Sequence, residues 1–350
     1  MRSGRWTRWM RRACAWLKRD PGKAKVFSNS SLVTAFMQRK PSDTSGIGKI
    51  IIVLAVVVIV LLVAVAVLFL PLRGVSVNQS KTVTIAGDIQ KVNLTMVASL
   101  GQVSVRFVDS NSVTLNVTGE GRVNALSSDT PVTVSLVSSA QGNVLNVNGQ
   151  VKVDTWGSGF TFNDLHCQLS LPRSMRNAVS VEAAVGEISL STVSGLVLDS
   201  LRLKTTNGAV TASLVDGTVL NGNVSMTATN GASILLWQDV DVRKDISVGV
   251  ATTNGAVYIS VAQNRTLEGN VTLGTSATNG GLRLNTVLSG ANAARIASHS
   301  NLGGITVQSR QNFTGPDSEL LSANYPSVHG FAMTLSTNTG GITVQAAYSA

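Results

Sequence analysis

Two patterns of apolar residues divide this 350-residue chain. From Ile50 to Leu70 the run IIIVLAVVVIVLLVAVAVLFL is unbroken, with Lys49 on one side and Pro71 and Arg73 on the other. As a helix it would reach about 31 Å, the thickness of a bilayer's hydrocarbon core, so it predicts a single transmembrane helix. Val and Ile are tolerated there because lipid offers the backbone no competing partner. Beyond Arg73 the apolar residues fall on alternate positions instead: Val83 and Ile85; Val92, Leu94 and Met96; Val103, Val105 and Phe107; Val113, Leu115 and Val117; Val132, Val134 and Leu136. Period-two alternation predicts strands with one buried face, and nothing from 75 to 350 has the period of a long amphipathic helix. The expectation is an all-β unit with a sizeable core.

A second regularity lies over the first. LKTTNGAV, MTATNGAS, VATTNGAV and TSATNGGL recur, followed by HSNLGGITV and STNTGGITV, with AAVGEISL as an earlier relative. Their glycines, Gly186, Gly208, Gly231, Gly255, Gly280, Gly303 and Gly340, are spaced by 22, 23, 24, 25, 23 and 37 residues. The last interval is one period plus an insertion at about 309–331, where Pro316 and Pro326 mark a loop. Asn-Gly ordinarily suggests a two-residue hairpin. One short period repeated along the chain predicts instead a parallel β-solenoid in which like positions stack from coil to coil. Asn207-Gly208, Asn230-Gly231, Asn254-Gly255 and Asn279-Gly280 would then form a ladder of turns joined through side-chain amides. The Thr residues before each turn (Thr205, Thr206, Thr227, Thr229, Thr252, Thr253, Thr275 and Thr278) would line up as a hydroxyl ladder. An antiparallel β-sandwich of hairpins is the alternative fold.

Charge places the halves. Of 28 Lys and Arg and 18 Asp and Glu, residues 1–49 hold 12 basic and two acidic, so the net +10 resides wholly before the apolar run. The positive-inside rule then predicts a type II single-pass protein of the cell membrane, N-terminus cytoplasmic and C-terminal domain extracellular. Within the tail, Trp6 and Trp9 fall at helical spacing with Arg5, Arg8 and Arg12 largely off that face, the pattern of a helix lying in the membrane interface. The lipid bilayer is therefore the expected acidic partner, in place of nucleic acid. Asn-x-Ser/Thr sequons on the exported side begin at Asn78, Asn93, Asn116, Asn223, Asn264, Asn270 and Asn312. Cys167 is the only exported cysteine, so an intrachain disulfide there is excluded and a buried structural thiol is expected.

Candidate chemistry is sparse. His166, His299 and His329 lack metal-ligand spacing, and neighbouring His166 and Cys167 point to opposite faces of a strand. Asp239, Asp241, Arg243 and Asp245 would share one face of an extended strand, with Lys244 beside them, and read as a solvated charged turn. No catalytic site, metal or cofactor is expected.

Leu171-Pro172-Arg173, then VSVEAAVGEISL from Val179 to Leu190, then the TNG turns resemble the putative-adhesin β-solenoid domains of bacterial, archaeal and some fungal surface proteins. The resemblance covers roughly 165–350 and implies a right-handed parallel solenoid and a role in adhesion. The basic Trp-rich tail and the insertion depart from it. The combined expectation is a basic cytoplasmic tail (1–49), a signal anchor (50–70), a β-rich part (71–165) and a repeat solenoid (166–350). Its function would be non-enzymatic binding or adhesion at the cell surface through glycans or other surface molecules. A self-associating coat or stalk and a carbohydrate-active enzyme are the alternatives. The final unit, GGITVQAAYSA, would leave an open strand edge, to be covered by homo-association or by the inserted loop.

Overall fold

The computed structural model describes residues 53–62, 72–124, 132–153 and 161–349. The tail, with Arg5, Trp6, Arg8, Trp9 and Arg12, lies outside the described residues, as do 50–52 and 63–70 of the apolar run. Residues 53–62 form a helix that is apolar on every side, its Val, Leu and Ile side chains 46–65% exposed. No helix among the described residues is long and apolar enough to cross a membrane.

From Leu72 onward the described chain is nearly all β, and its pairing follows from the repeat. Strands Val197–Asn207, Val224–Asn230, Ile246–Asn254 and Val271–Asn279 lie side by side and parallel in a 14-stranded sheet. Their followers Val210–Leu214, Ser233–Gln238, Val257–Gln263 and Leu282–Ser289 do the same in an 11-stranded sheet. Each Asn-Gly turn thus carries the chain from one sheet to the other and is not a hairpin. Alternation then decides burial: Leu203, Met226, Val248 and Leu273 face inward at 0–2% exposure, against Leu214, Trp237 and Val261 from the other sheet.

The N-terminal strands join the same two sheets. Lys91–Ala98 and Gln102–Val108 stack in parallel on Arg176–Val185 and Ile188–Ser191, with their own glycine turn at Gly101. Antiparallel strands close this end: Leu72–Thr84, Ser112–Asn124 and Thr161–Pro172 in one sheet, Val132–Gln141 and Val144–Val153 in the other. Asp199, its side chain 8% exposed, ties the two parts together by accepting from Arg176 at 2.9 Å and pairing with the Lys91 ammonium at 3.0 Å.

The other end departs from sequence order. The C-terminal strands Gly330–Thr339 and Ile342–Ser349 pair with Val271–Asn279 and Leu282–Ser289 on one side. On the other side they pair with Ala293–Leu302 and Ile305–Gln311. The last unit in sequence is therefore the last but one in space. The expectation of an open edge at GGITVQAAYSA is corrected: the residues after the sixth turn are long enough to loop back and admit it. Within them, Phe313–Thr314 and Glu319–Ser322 form an antiparallel hairpin that covers part of Ala293–Leu302 and buries Phe313 and Leu320.

The Asp199 cluster carries a pH signature. Burial pushes its carboxyl up, but hydrogen bonds and charge from Arg176 and Lys91 outweigh that and hold it below the ordinary value. A depressed folded pKa adds stability above the unfolded value of about 3.9, and that stability disappears as pH falls through the folded pKa. Asp199→Asn is expected to cost about 1–2 kcal/mol at pH 7, with both cations partly exposed. In thermal unfolding the gap from wild type should close below about pH 4.

Candidate functional site

The turn glycines form a column. An added Cβ would lie 2.0 Å from the preceding carbonyl oxygen at Gly186, 2.0 Å at Gly208, 1.9 Å at Gly231, 2.1 Å at Gly255 and 1.7 Å at Gly280. Gly340 follows on Gly280, and Gly303 on Gly340. Beside the column Asn230 donates to Asn207, Asn254 to Asn230 and Asn279 to Asn254, each at 2.8 Å, and Thr339 Oγ1 donates to Asn279 at 2.8 Å. These exposed amides spend their hydrogen bonds on one another. The threonines separate into several columns: Thr205 and Thr252 point inward and donate to Gly186 and Gly231 carbonyls at 3.0 and 2.8 Å. Thr275 also points inward, in a different row, while Thr206, Thr253 and Thr278 are exposed. Thr206, Thr229, Thr253 and Thr278, each just before its Asn, share one register row across these four strands, so one of the columns is continuous, half-buried at Thr229 and exposed at the other three.

The charged stretch is absorbed by turns. Asp239, at φ 46°, accepts from Asn264 N at 2.6 Å, and Asp245 accepts from Asn270 N at 2.8 Å. Asp241 shares Arg265 with Asp216, at 3.3 and 2.7 Å. These carboxylates do not converge on one point, because only Asp241–Val242 is extended. Among the described residues no group of three or more His, Cys, Asp or Glu is placed to hold a metal ion. Cys167 is buried among core residues, and that burial pushes its thiol up to about 12.

The sequons are not equivalent. A glycan attaches at Nδ2, and that atom already donates to Asn146 in half-buried Asn93, to Asp239 in Asn264, to Asp245 in Asn270 and to the Tyr348 carbonyl in Asn312. Asn116 is half-buried and accepts from Ser80 at 2.7 Å. Asn78 and Asn223 are exposed, with no hydrogen bond from Nδ2 among the described residues. In a glycosylating host, peptide mapping should find glycans at Asn78 and Asn223 and none at Asn93 or Asn312.

A concavity of about 420 Å³ lies on the outer face of the 11-stranded sheet, built from residues outside the Asn and Thr ladders. Strand Gln102–Val108 turns Gln102, Ser104 and Arg106 outward; Thr161–Pro172 beside it contributes His166 and Gln168. Ile188–Ser191 on the other flank contributes Ser189, preceded by Glu187. Ser104 stands in register with both Gln168 and Ser189, so the shortest side chains lie at the centre and the longer polar ones border them. Neither Arg106 nor Glu187 makes an ion pair among the described residues, and no hydrogen bond joins His166 to either serine. The cleft offers amide, guanidinium and hydroxyl donors beside carboxylate and amide acceptors, a set that matches a polyhydroxylated ligand.

No family model matches the chain, and no curated protein matches it. Among solved structures, a putative cell adhesion protein from Clostridium sporogenes aligns over 77% of this chain and 99% of its own, at 10% identity and a TM-score of 0.39. A putative adhesin from Bacteroides fragilis aligns over 77% and 97% at 11% identity and 0.34. A third, from Parabacteroides distasonis, aligns over 77% and 97% at 12% identity and 0.26. Scores at this level do not establish a shared fold.

Proposed function

We propose that the chain is a membrane-anchored, non-enzymatic binding protein that displays a glycosylated β-solenoid at the cell surface and attaches to glycans through the cleft around Ser104. Parallel, in-register stacking of units that alternate between two sheets supports the solenoid, and the usual hand of parallel crossovers supports a right-handed one. The helix at 53–62, apolar all round with its side chains exposed, supports a seat in lipid, as does the basic excess before it.

The observation that carries the binding function is the cleft. Its polar side chains make few bonds to one another, whereas those of the Asn ladder are spent on each other. The test is a glycan array probed with the full-length protein and two variants. Ser104→Trp fills the cleft, and Thr253→Ala alters the exposed turn face. Binding weakened at least about tenfold, or roughly 1.4 kcal/mol, by Ser104→Trp and unchanged by Thr253→Ala is the expected result. Binding indifferent to Ser104→Trp, or absent from every glycan, overturns the reading.

A further inference from the structure

Among the described residues the far end of the 11-stranded sheet is the strand Ile305–Gln311, paired on one side only. Its inward residues end an apolar column. Ile342 and Val344 are 1% and 0% exposed, but their register partners Ile305 and Val307 are only partly buried, because no strand among the described residues lies beyond them. Leu302, on the adjoining strand, is 68% exposed. Such an edge is a template for a strand of another molecule, and a second copy of this chain carries the same repeat and the same complementary edge.

The strand does not continue the pattern to its end. Thr306 pairs with Thr343 and Val307 with Val344, but Ser309 then pairs with Gln345, so Gln308 is an extra residue. Without that bulge Arg310 would face solvent. With it, Arg310 stands opposite Ala346, at a position that reads Leu214, Trp237, Val261, Thr286 and Ala346 in the strands before it. The guanidinium is then held at the open end, donating to the Gly315 carbonyl at 2.9 Å and to Asp317 of the capping loop. A strand added here would meet a bent edge and bury a charge at a core position, both of which oppose pairing.

We propose that the bulge at Gln308 and the inward Arg310, pinned by Asp317, form a stop that keeps the solenoid from adding a second copy end to end. The test is sedimentation of the full-length protein in detergent over a concentration series. It is combined with hydrogen exchange of the 305–311 amides, which reports whether this edge is the one that pairs. Arg310→Val should associate at least about tenfold more tightly than wild type, equivalent to roughly 1.4 kcal/mol, with new protection over 305–311. Arg310→Lys should remain like wild type. Asp317→Asn frees the guanidinium without adding an apolar group, and should associate to an intermediate degree even if Arg310→Val does not fold. Folded Arg310→Val and Asp317→Asn that associate no more than wild type would overturn the proposal. Wild type already protected at 305–311 in a concentration-dependent manner would do so too.

Discussion

Gly231→Ala is expected to lower stability by roughly 3–4 kcal/mol, the sum of a disallowed backbone conformation and a disrupted interstrand turn. Gly231 has φ 151°, a region open to glycine and strained for any side chain. Its added Cβ would lie 1.9 Å from the Gly208 oxygen and 2.5 Å from the Gly208 carbon. Both are backbone atoms, so no rotamer change relieves the clash. The two turns must move apart, weakening the bond from Gly208 N to the Asn230 carbonyl at 2.9 Å. Gly274 is the control: it lies in a strand with nothing within 4 Å of an added Cβ. Gly274→Ala should be neutral or stabilising by about 0.5–1 kcal/mol. Thermal unfolding of the two variants beside wild type separates these outcomes, with a loss on the order of 10 °C expected for Gly231→Ala. Equal effects at the two glycines would contradict the stacked column.

A comparable loss is expected at a residue that no repeat points to. Gln263 is fully buried at the end of strand Val257–Gln263 and uses its whole amide. Oε1 accepts from Trp237 Nε1 at 2.8 Å and Val240 N at 3.1 Å, while Nε2 donates to the carbonyls of Val240 at 3.2 Å and Arg265 at 2.7 Å. It holds one repeat unit's corner to the next, and Asn292 repeats the arrangement one unit on, donating to the Arg265 and Ser289 carbonyls at 2.9 Å each. Gln263→Leu conserves volume but strands two donors, Trp237 Nε1 and Val240 N, and the Val240 carbonyl, while the Arg265 carbonyl keeps Asn292. At about 1–3 kcal/mol for each unsatisfied buried group, less relaxation, the cost is roughly 3–5 kcal/mol. Denaturant unfolding measures it. Gln263→Glu, which keeps the acceptors, should fall between Leu and wild type; a Leu variant within about 0.5 kcal/mol of wild type would sink this assignment.

What could be read from the sequence, and what could not, divides by range. Alternation located the strands around Val92, Val103, Val113 and Val132, because burial on one face is a local property. Glycine spacing located the corners for the same reason: each is dictated by the φ of one residue. The turn at Gly101 escaped, although ASLGQVSV parallels AAVGEISL residue for residue, because 85 positions and several antiparallel strands separate it from Gly186. The reversal of the last two units was equally hidden. An interval of 37 residues is compatible with an insertion in place or with a loop that lets the chain double back, and spacing alone does not distinguish them. The cleft draws on 102–106, 166–168 and 187–189, so only the sheet order brings its residues together. Asp239 to Asp245 read as a solvated charged turn, and only the shared face of an extended strand fails, because a positive φ at Asp239 breaks it.

That reversal also offers the most direct test of the stacking order. Asn285 and Gln345 are register partners on neighbouring strands, and Gln345 is in turn the partner of Ser309. Stacking in spatial order puts Asn285 beside Gln345 and two strands, about 10 Å, from Ser309; stacking in sequence order would put Asn285 beside Ser309. A disulfide needs Cα atoms about 4.4–6.8 Å apart. In the full-length chain with Cys14→Ser, the pair Asn285→Cys/Gln345→Cys should therefore oxidise to an intramolecular bridge, while Asn285→Cys/Ser309→Cys stays reduced. A bridge in the second pair and none in the first would contradict this fold.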